Sequence, residues 1–149
     1  NSTFNLGIRG KLKDIHPGSG SSSPYYLTSV GNTLYFQAYD GSKGYELWKS
    51  DGTTVGTVRV KDIQPGSGSS SPSYLTSLGN TLYFRANDGS SGNELWKSDG
   101  TTAGTVRVKD IFPGSNSSSP SHLTSVGNTL YFQAYDAEGG ELWVIDTDQ

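Results

Sequence analysis

Apolar and polar residues alternate in short runs along the chain. From Thr33 to Tyr39 the residues Leu34, Phe36 and Ala38 fall on one face, and Tyr35, Gln37 and Tyr39 on the other. This period of two predicts a β-strand. Tyr25 to Val30 reads as the strand before it, and Gly31-Asn32 between them suits a tight hairpin turn. Tyr45 to Lys49 predicts a third strand after the loop Asp40-Gly41-Ser42-Lys43-Gly44, and Thr57 to Ile63 a fourth after Asp51-Gly52-Thr53-Thr54-Val55-Gly56. No segment has helical periodicity.

The four-strand pattern then recurs. Pro24, Pro72 and Pro120 lie 48 residues apart, as do Gly31, Gly79 and Gly127. Residues 14–61 and 62–109 match at 40 of 48 positions. A fixed period of this length marks a repeat architecture, in which each unit needs a neighbour to bury its apolar face. The predicted organisation is an N-terminal extended donor strand over 1–13, repeats over 14–61 and 62–109, and an incomplete repeat over 110–149. The fold class is all-β, with three four-stranded antiparallel propeller-like blades. Close hairpins argue against a parallel β-solenoid.

The two ends are complementary. Lys11-Leu12-Lys13-Asp14-Ile15 aligns with Arg59-Val60-Lys61-Asp62-Ile63, a fourth strand without its first three. Glu141 to Asp146 is a third strand without a fourth. Three blades are too few to close a ring, since propellers have roughly 4–8. The last blade is therefore expected to be completed by an N-terminal strand, from another chain. Phe4, Leu6, Ile8 and Leu12 on the donor side, and Leu142, Trp143 and Ile145 on the acceptor side, are the expected assembly residues.

Glu46-Leu47-Trp48-Lys49-Ser50-Asp51-Gly52-Thr53-Thr54-Val55-Gly56-Thr57 resembles the ELWxxDGTxxGT repeat of bacterial proteins. Glu94 to Thr105 matches it in full, and Glu141-Leu142-Trp143 begins a third copy. The resemblance implies a bacterial propeller-like protein, secreted or exposed at the cell surface, and brings no activity or ligand with it.

Composition narrows the function. Only 32% of residues are apolar, and the net charge is −3 with scattered cations, which gives no basic stripe for nucleic acid. No apolar run is long enough for a membrane span. With no Cys there are no disulfides and no thiolate sites. With no Met, the chain reads as a processed protein or a fragment. His16 and His122 occupy different repeat positions and form no recurring constellation, so no enzyme is expected.

Calcium is the one cofactor candidate. Asp40, Glu46 and Asp51 recur as Asp88, Glu94 and Asp99, and hard cations take several oxygen ligands. The loops lack the alternating pattern of a calcium site, and turn formation explains the same residues. Tyr25, Tyr35, Tyr39 and Tyr45 are candidate saccharide contacts, because aromatic faces with polar tips suit sugars. The expected function is non-enzymatic extracellular self-assembly into a fibre or closed ring. The alternative is a carbohydrate-binding propeller that attaches to surface polysaccharide.

Overall fold

A computed structural model describes residues 7–146. They form eleven strands in three antiparallel sheets. Sheet 1 contains β1 (Tyr25–Val30), β2 (Thr33–Tyr39), β3 (Tyr45–Ser50) and β4 (Val58–Lys61) in that spatial order. Sheet 2 repeats the order with β5 (Ser73–Leu78), β6 (Thr81–Asn87), β7 (Asn93–Ser98) and β8 (Val106–Lys109). Sheet 3 has β9 (Ser121–Val126), β10 (Thr129–Asp136) and β11 (Gly139–Asp146), with β11 pairing only with β10 among the described residues. This is an all-β repeat consistent with a propeller-like arrangement. No closure of the array is seen within the described residues.

The strands form where the alternation places them, and the ladders repeat in register. Gln37 pairs with Leu47, Arg85 with Leu95 and Gln133 with Leu142. Each sheet's first strand carries a bulge after its first residue, opposite the middle of the second strand. A non-glycine residue sits there at positive φ each time: Tyr26 (61°), Tyr74 (55°) and His122 (55°). The extra residue of a bulge goes into the left-handed region, and bulky side chains rarely do so.

Two apolar layers hold the sheets together. The back of sheet 1 (Val30, Tyr35, Leu47, Val60) packs with Ile63 on the front of sheet 2 (Leu82, Phe84, Ala86, Trp96). The back of sheet 2 (Leu78, Tyr83, Leu95) packs with Ile111 on the front of sheet 3 (Leu130, Phe132, Ala134), helped by Trp143 and Ile145. Both faces of sheet 2 are thus covered by neighbouring sheets. That is why Tyr83 and Phe84, neighbours on opposite faces, are both buried. First strands of successive sheets lie side by side, with the Thr28 hydroxyl donating to the Leu75 carbonyl and that of Thr76 to the Leu123 carbonyl, each at 3.4 Å.

One glycine per complete repeat is required by close approach. Gly44 and Gly92 have φ of 76° and 74°, and an added Cβ would lie 2.2 Å from the Gly68 carbonyl oxygen or 2.6 Å from that of Asn116. Gly92→Ala combines an unfavourable φ with a backbone clash. It is expected to lower stability by roughly 2 kcal/mol or more, read from the urea midpoint.

Candidate functional site: two uncovered surfaces

The interface between sheets 1 and 2 is repeated between sheets 2 and 3. Position by position, the side chains that fill it can be compared with those left open at the two ends of the array. Leu47 and Leu95 have no exposed surface, but Leu142 is 74% exposed. Val30 and Leu78 are buried, but Val126 is 60% exposed; Tyr35 and Tyr83 are buried, but Tyr131 is 37% exposed. Val144, on the same side, is also exposed. The back of sheet 3 is therefore an uncovered apolar face made of the same residue types that are buried between the sheets.

The opposite surface lies at the front of sheet 1. Phe36, Ala38 and Trp48 are packed by Ile15 and Leu34. Beside them is a cavity of about 490 Å³ lined by Leu12, Ile15, Leu27, Leu34 and Phe36 among others. The corresponding positions on sheet 2 (Val60, Ile63, Leu75, Leu82, Phe84) are filled by Val30, Tyr35 and Leu47. The cavity is the space that a Val-Tyr-Leu face would occupy.

Residues 9–13 already stand where a preceding fourth strand would stand. The Lys13 ammonium donates to the Thr57 carbonyl at 2.7 Å, as Lys61 does to Thr105 at 2.9 Å. The Thr54 hydroxyl donates to the Leu12 carbonyl at 2.7 Å, as Thr102 does to Val60. Yet these residues pair with no strand, whereas β4 pairs with β3 through Leu47–Lys61 and Trp48–Arg59. Among the described residues, the 9–13 segment thus pairs with no strand and β11 pairs with β10 alone.

The sequence-predicted assembly residues divide between these places. Leu12 lines the cavity and Leu142 is on the open back face. Ile8 is exposed. Trp143 and Ile145 turn the other way, into the core shared with sheet 2, where the Lys109 ammonium lies 5.7 Å from the Trp143 ring. Phe4 and Leu6 lie outside the described residues. Val126 and Tyr131 join the site by register, which the strand alignment could have revealed.

The calcium candidates all have protein donors. Asp40 accepts the N–H groups of Ser42 and Lys43 at 2.9 Å and the Arg59 guanidinium at 3.2 Å. Partial burial works to raise its carboxyl, but these donors hold it below the usual range. Asp88 accepts from Ser90 and Ser91 in the same way. Asp51 and Asp99 accept the hydroxyl and N–H of Thr53 and Thr101, which lower their carboxyls too. Among the described residues no three His, Cys, Asp or Glu side chains are grouped to hold a metal.

Glu46 and Glu94 are buried and clamp the segment leaving their sheet. Glu46 Oε1 accepts the Ile63 N–H and the Ser70 hydroxyl, both at 2.7 Å; Oε2 accepts the Ser70 N–H at 3.1 Å. Glu94 takes the same bonds from Ile111 and Ser118. Burial pushes the Glu46 carboxyl up to about 7, against the pull of its hydrogen bonds. Glu94 is raised too, first by burial, with the charge of Asp110 adding to it.

A folded-state pKa above the ordinary 4.5 means that the folded chain holds protons the unfolded chain has lost. The stability Glu46 contributes in this way is full below about pH 4.5 and is lost as pH rises through about 7, and Glu94 acts in the same direction. Thermal melting is expected to drop across that window, and Glu46→Gln/Glu94→Gln to flatten the slope.

Of the four tyrosines proposed for saccharide, Tyr35 is buried between sheets 1 and 2, and Tyr39 stacks on Tyr45 at 5.4 Å. Tyr25 is exposed. His16 bonds the Ser21 carbonyl and meets the edge of the Tyr39 ring, while His122 lies beside Tyr74. The two histidines belong to different repeats and stand in different surroundings. Among the described residues no helix is long and apolar enough to cross a membrane.

No family model matches the chain, and neither the curated proteins nor the solved structures contain a match.

Proposed function

We propose that the chain is a non-enzymatic structural module that associates head to tail with copies of itself outside the cell. The observation that carries this reading is the mating pair of surfaces: the open Val126-Tyr131-Leu142 face of sheet 3 and the cavity at the front of sheet 1. Applying the internal sheet-to-sheet packing once more would seat one copy's sheet 3 on the next copy's sheet 1. Residues 10–13 of that next copy would then add to β11, with Lys13 opposite Leu142 as Lys61 is opposite Leu47. Such a contact is heterologous. It gives a ring if the rotation closes and a fibre if it does not. The extracellular, bacterial setting is supported by the resemblance of the Glu-Leu-Trp repeats. Sedimentation velocity across a concentration series tests the reading: growth to large species supports it, and a compact monomer at millimolar concentration overturns it.

A second reading is favoured by one observation. The bulge aromatics Tyr26 and Tyr74 are exposed, with the Arg85 guanidinium 6.0 Å from the Tyr74 ring. They flank a polar cleft also lined by Tyr45, Asn87 and Asn93. Rings, amides and a cation in one cleft suit an acidic saccharide. A glycan array with no binding would remove this reading and leave assembly untouched.

A further inference from the structure

Glu46 and Glu94 draw their hydrogen bonds from residues 17 and 24 positions further along the chain. The third glutamate of the series is Glu141. It faces Ala134 across the ladder, as Glu46 faces Ala38 and Glu94 faces Ala86. Unlike them it is exposed, and no donor among the described residues reaches it.

The matching donors are found at the other end of the array. Ile15 and Ser22 hold the repeat positions of Ile63 and Ser70. Their segment is already docked on sheet 1: the Ser22 carbonyl accepts the Tyr39 N–H at 2.9 Å, as Ser70 accepts that of Asn87 and Ser118 that of Tyr135. Ile15 packs on Phe36, Ala38 and Trp48. What this segment lacks is the carboxylate on its far side. Ser70 and Ser118 have no exposed surface, but Ser22 is half-buried. Pro72 and Pro120 are fully buried, but Pro24 is exposed.

We infer that the Glu141 carboxylate of one copy is the receptor for the Ile15 N–H and for the N–H and hydroxyl of Ser22 on the next copy. This inference rests on the head-to-tail reading and supplies its polar half. An apolar face alone could slip or pair with itself. A carboxylate that needs three donors at fixed spacing cannot, because charged acceptors form strong, directional bonds. Two sheet 3 faces packed back to back would bring no Ile15 or Ser22 donors to Glu141, so these bonds form only in the head-to-tail arrangement. Glu141 therefore selects the front of sheet 1 against the symmetric alternative.

The test is a double-mutant cycle on the 149-residue chain with Glu141→Ala, Ser22→Ala and the pair, reading the association constant by sedimentation at about pH 8. Each single variant is expected to weaken association, Glu141→Ala by about tenfold or more. The double variant is expected to be little weaker than Glu141→Ala alone, since both remove one contact. Melting temperature at a dilution where the chain is monomeric is the control, and it should not move. If the unaltered chain assembles and Glu141→Ala does not weaken it, or the two effects simply add, the receptor role is overturned while head-to-tail association stands. If the unaltered chain does not assemble at any concentration, both fall together.

Discussion

Leu142→Lys is expected to hold the chain as a folded monomer, with association weakened by at least about 100-fold and the melting temperature of the dilute protein unchanged. The reason is the different exposure of one repeat position. Leu47 and Leu95 are fully buried between sheets, while Leu142 is 74% exposed. A lysine at 142 meets water in the single chain and costs the fold nothing. In the assembly its ammonium would replace a leucine packed against Leu34, Phe36 and Ile15, in a cavity whose one carboxylate is Asp14. Burying an unpaired charge costs several kcal/mol, and about 1.4 kcal/mol is a factor of ten. The same substitution at Leu95 would enter the core shared with Ile111, Leu130 and Phe132 and is expected to unfold the chain. Sedimentation velocity and thermal melting of the two variants check the contrast. Equal loss of melting temperature in both would mean that position 142 is already covered within one chain.

Glu94→Ala has the second largest expected effect, a loss of about 2–4 kcal/mol of folding stability. The carboxylate gathers the Ile111 N–H, the Ser118 N–H and the Ser118 hydroxyl within 2.8–2.9 Å, in a place without exposed surface. Removing it strands three donors at once. Each buried group left unsatisfied costs roughly 1–3 kcal/mol, and water entering the gap offsets part of the sum. The substitution also loosens the segment joining sheets 2 and 3, so a loss of cooperativity should accompany the shift. Glu141→Ala, at the same repeat position but exposed, should leave monomer stability unchanged. Urea unfolding at high dilution gives both numbers. A small loss at Glu94, equal to that at Glu141, would show that the clamp is not what joins the sheets.

Much of this arrangement could be read from the chain. Strict alternation from Thr33 to Tyr39 and the Gly31-Asn32 turn set the first hairpin, and the 48-residue period carried it to Thr81–Asn87 and Thr129–Asp136. The alignment of Lys11–Ile15 with Arg59–Ile63 was also legible, and the Lys13 and Thr54 contacts repeat those of Lys61 and Thr102. The burial of both strand faces was harder to read. Alternation suggests one wet face, but stacked sheets cover Tyr83 and Phe84 alike. Glu46 reads in the sequence as a candidate cation ligand or turn residue, because its partners are distant. Ser70 is one of several serines in a Ser-Gly run, and composition cannot single it out. The bulge that puts Tyr26, Tyr74 and His122 at positive φ carries no glycine to announce it.

Disulfide trapping tests head-to-tail addition most directly, because the chain has no cysteine of its own. Lys13→Cys and Leu142→Cys are made as separate proteins and mixed under mild oxidation. In sheet 1 the corresponding residues, Lys61 and Leu47, are ladder partners, and facing residues in an antiparallel pair have Cα atoms about 4.5–5.5 Å apart, within disulfide reach. The account predicts a crosslink between the two variants that is fast and specific, with little between copies of either one, and none between Leu142→Cys and a cysteine at exposed Ser19. Crosslinking of Leu142→Cys to itself, or equally to positions 13 and 19, would contradict it.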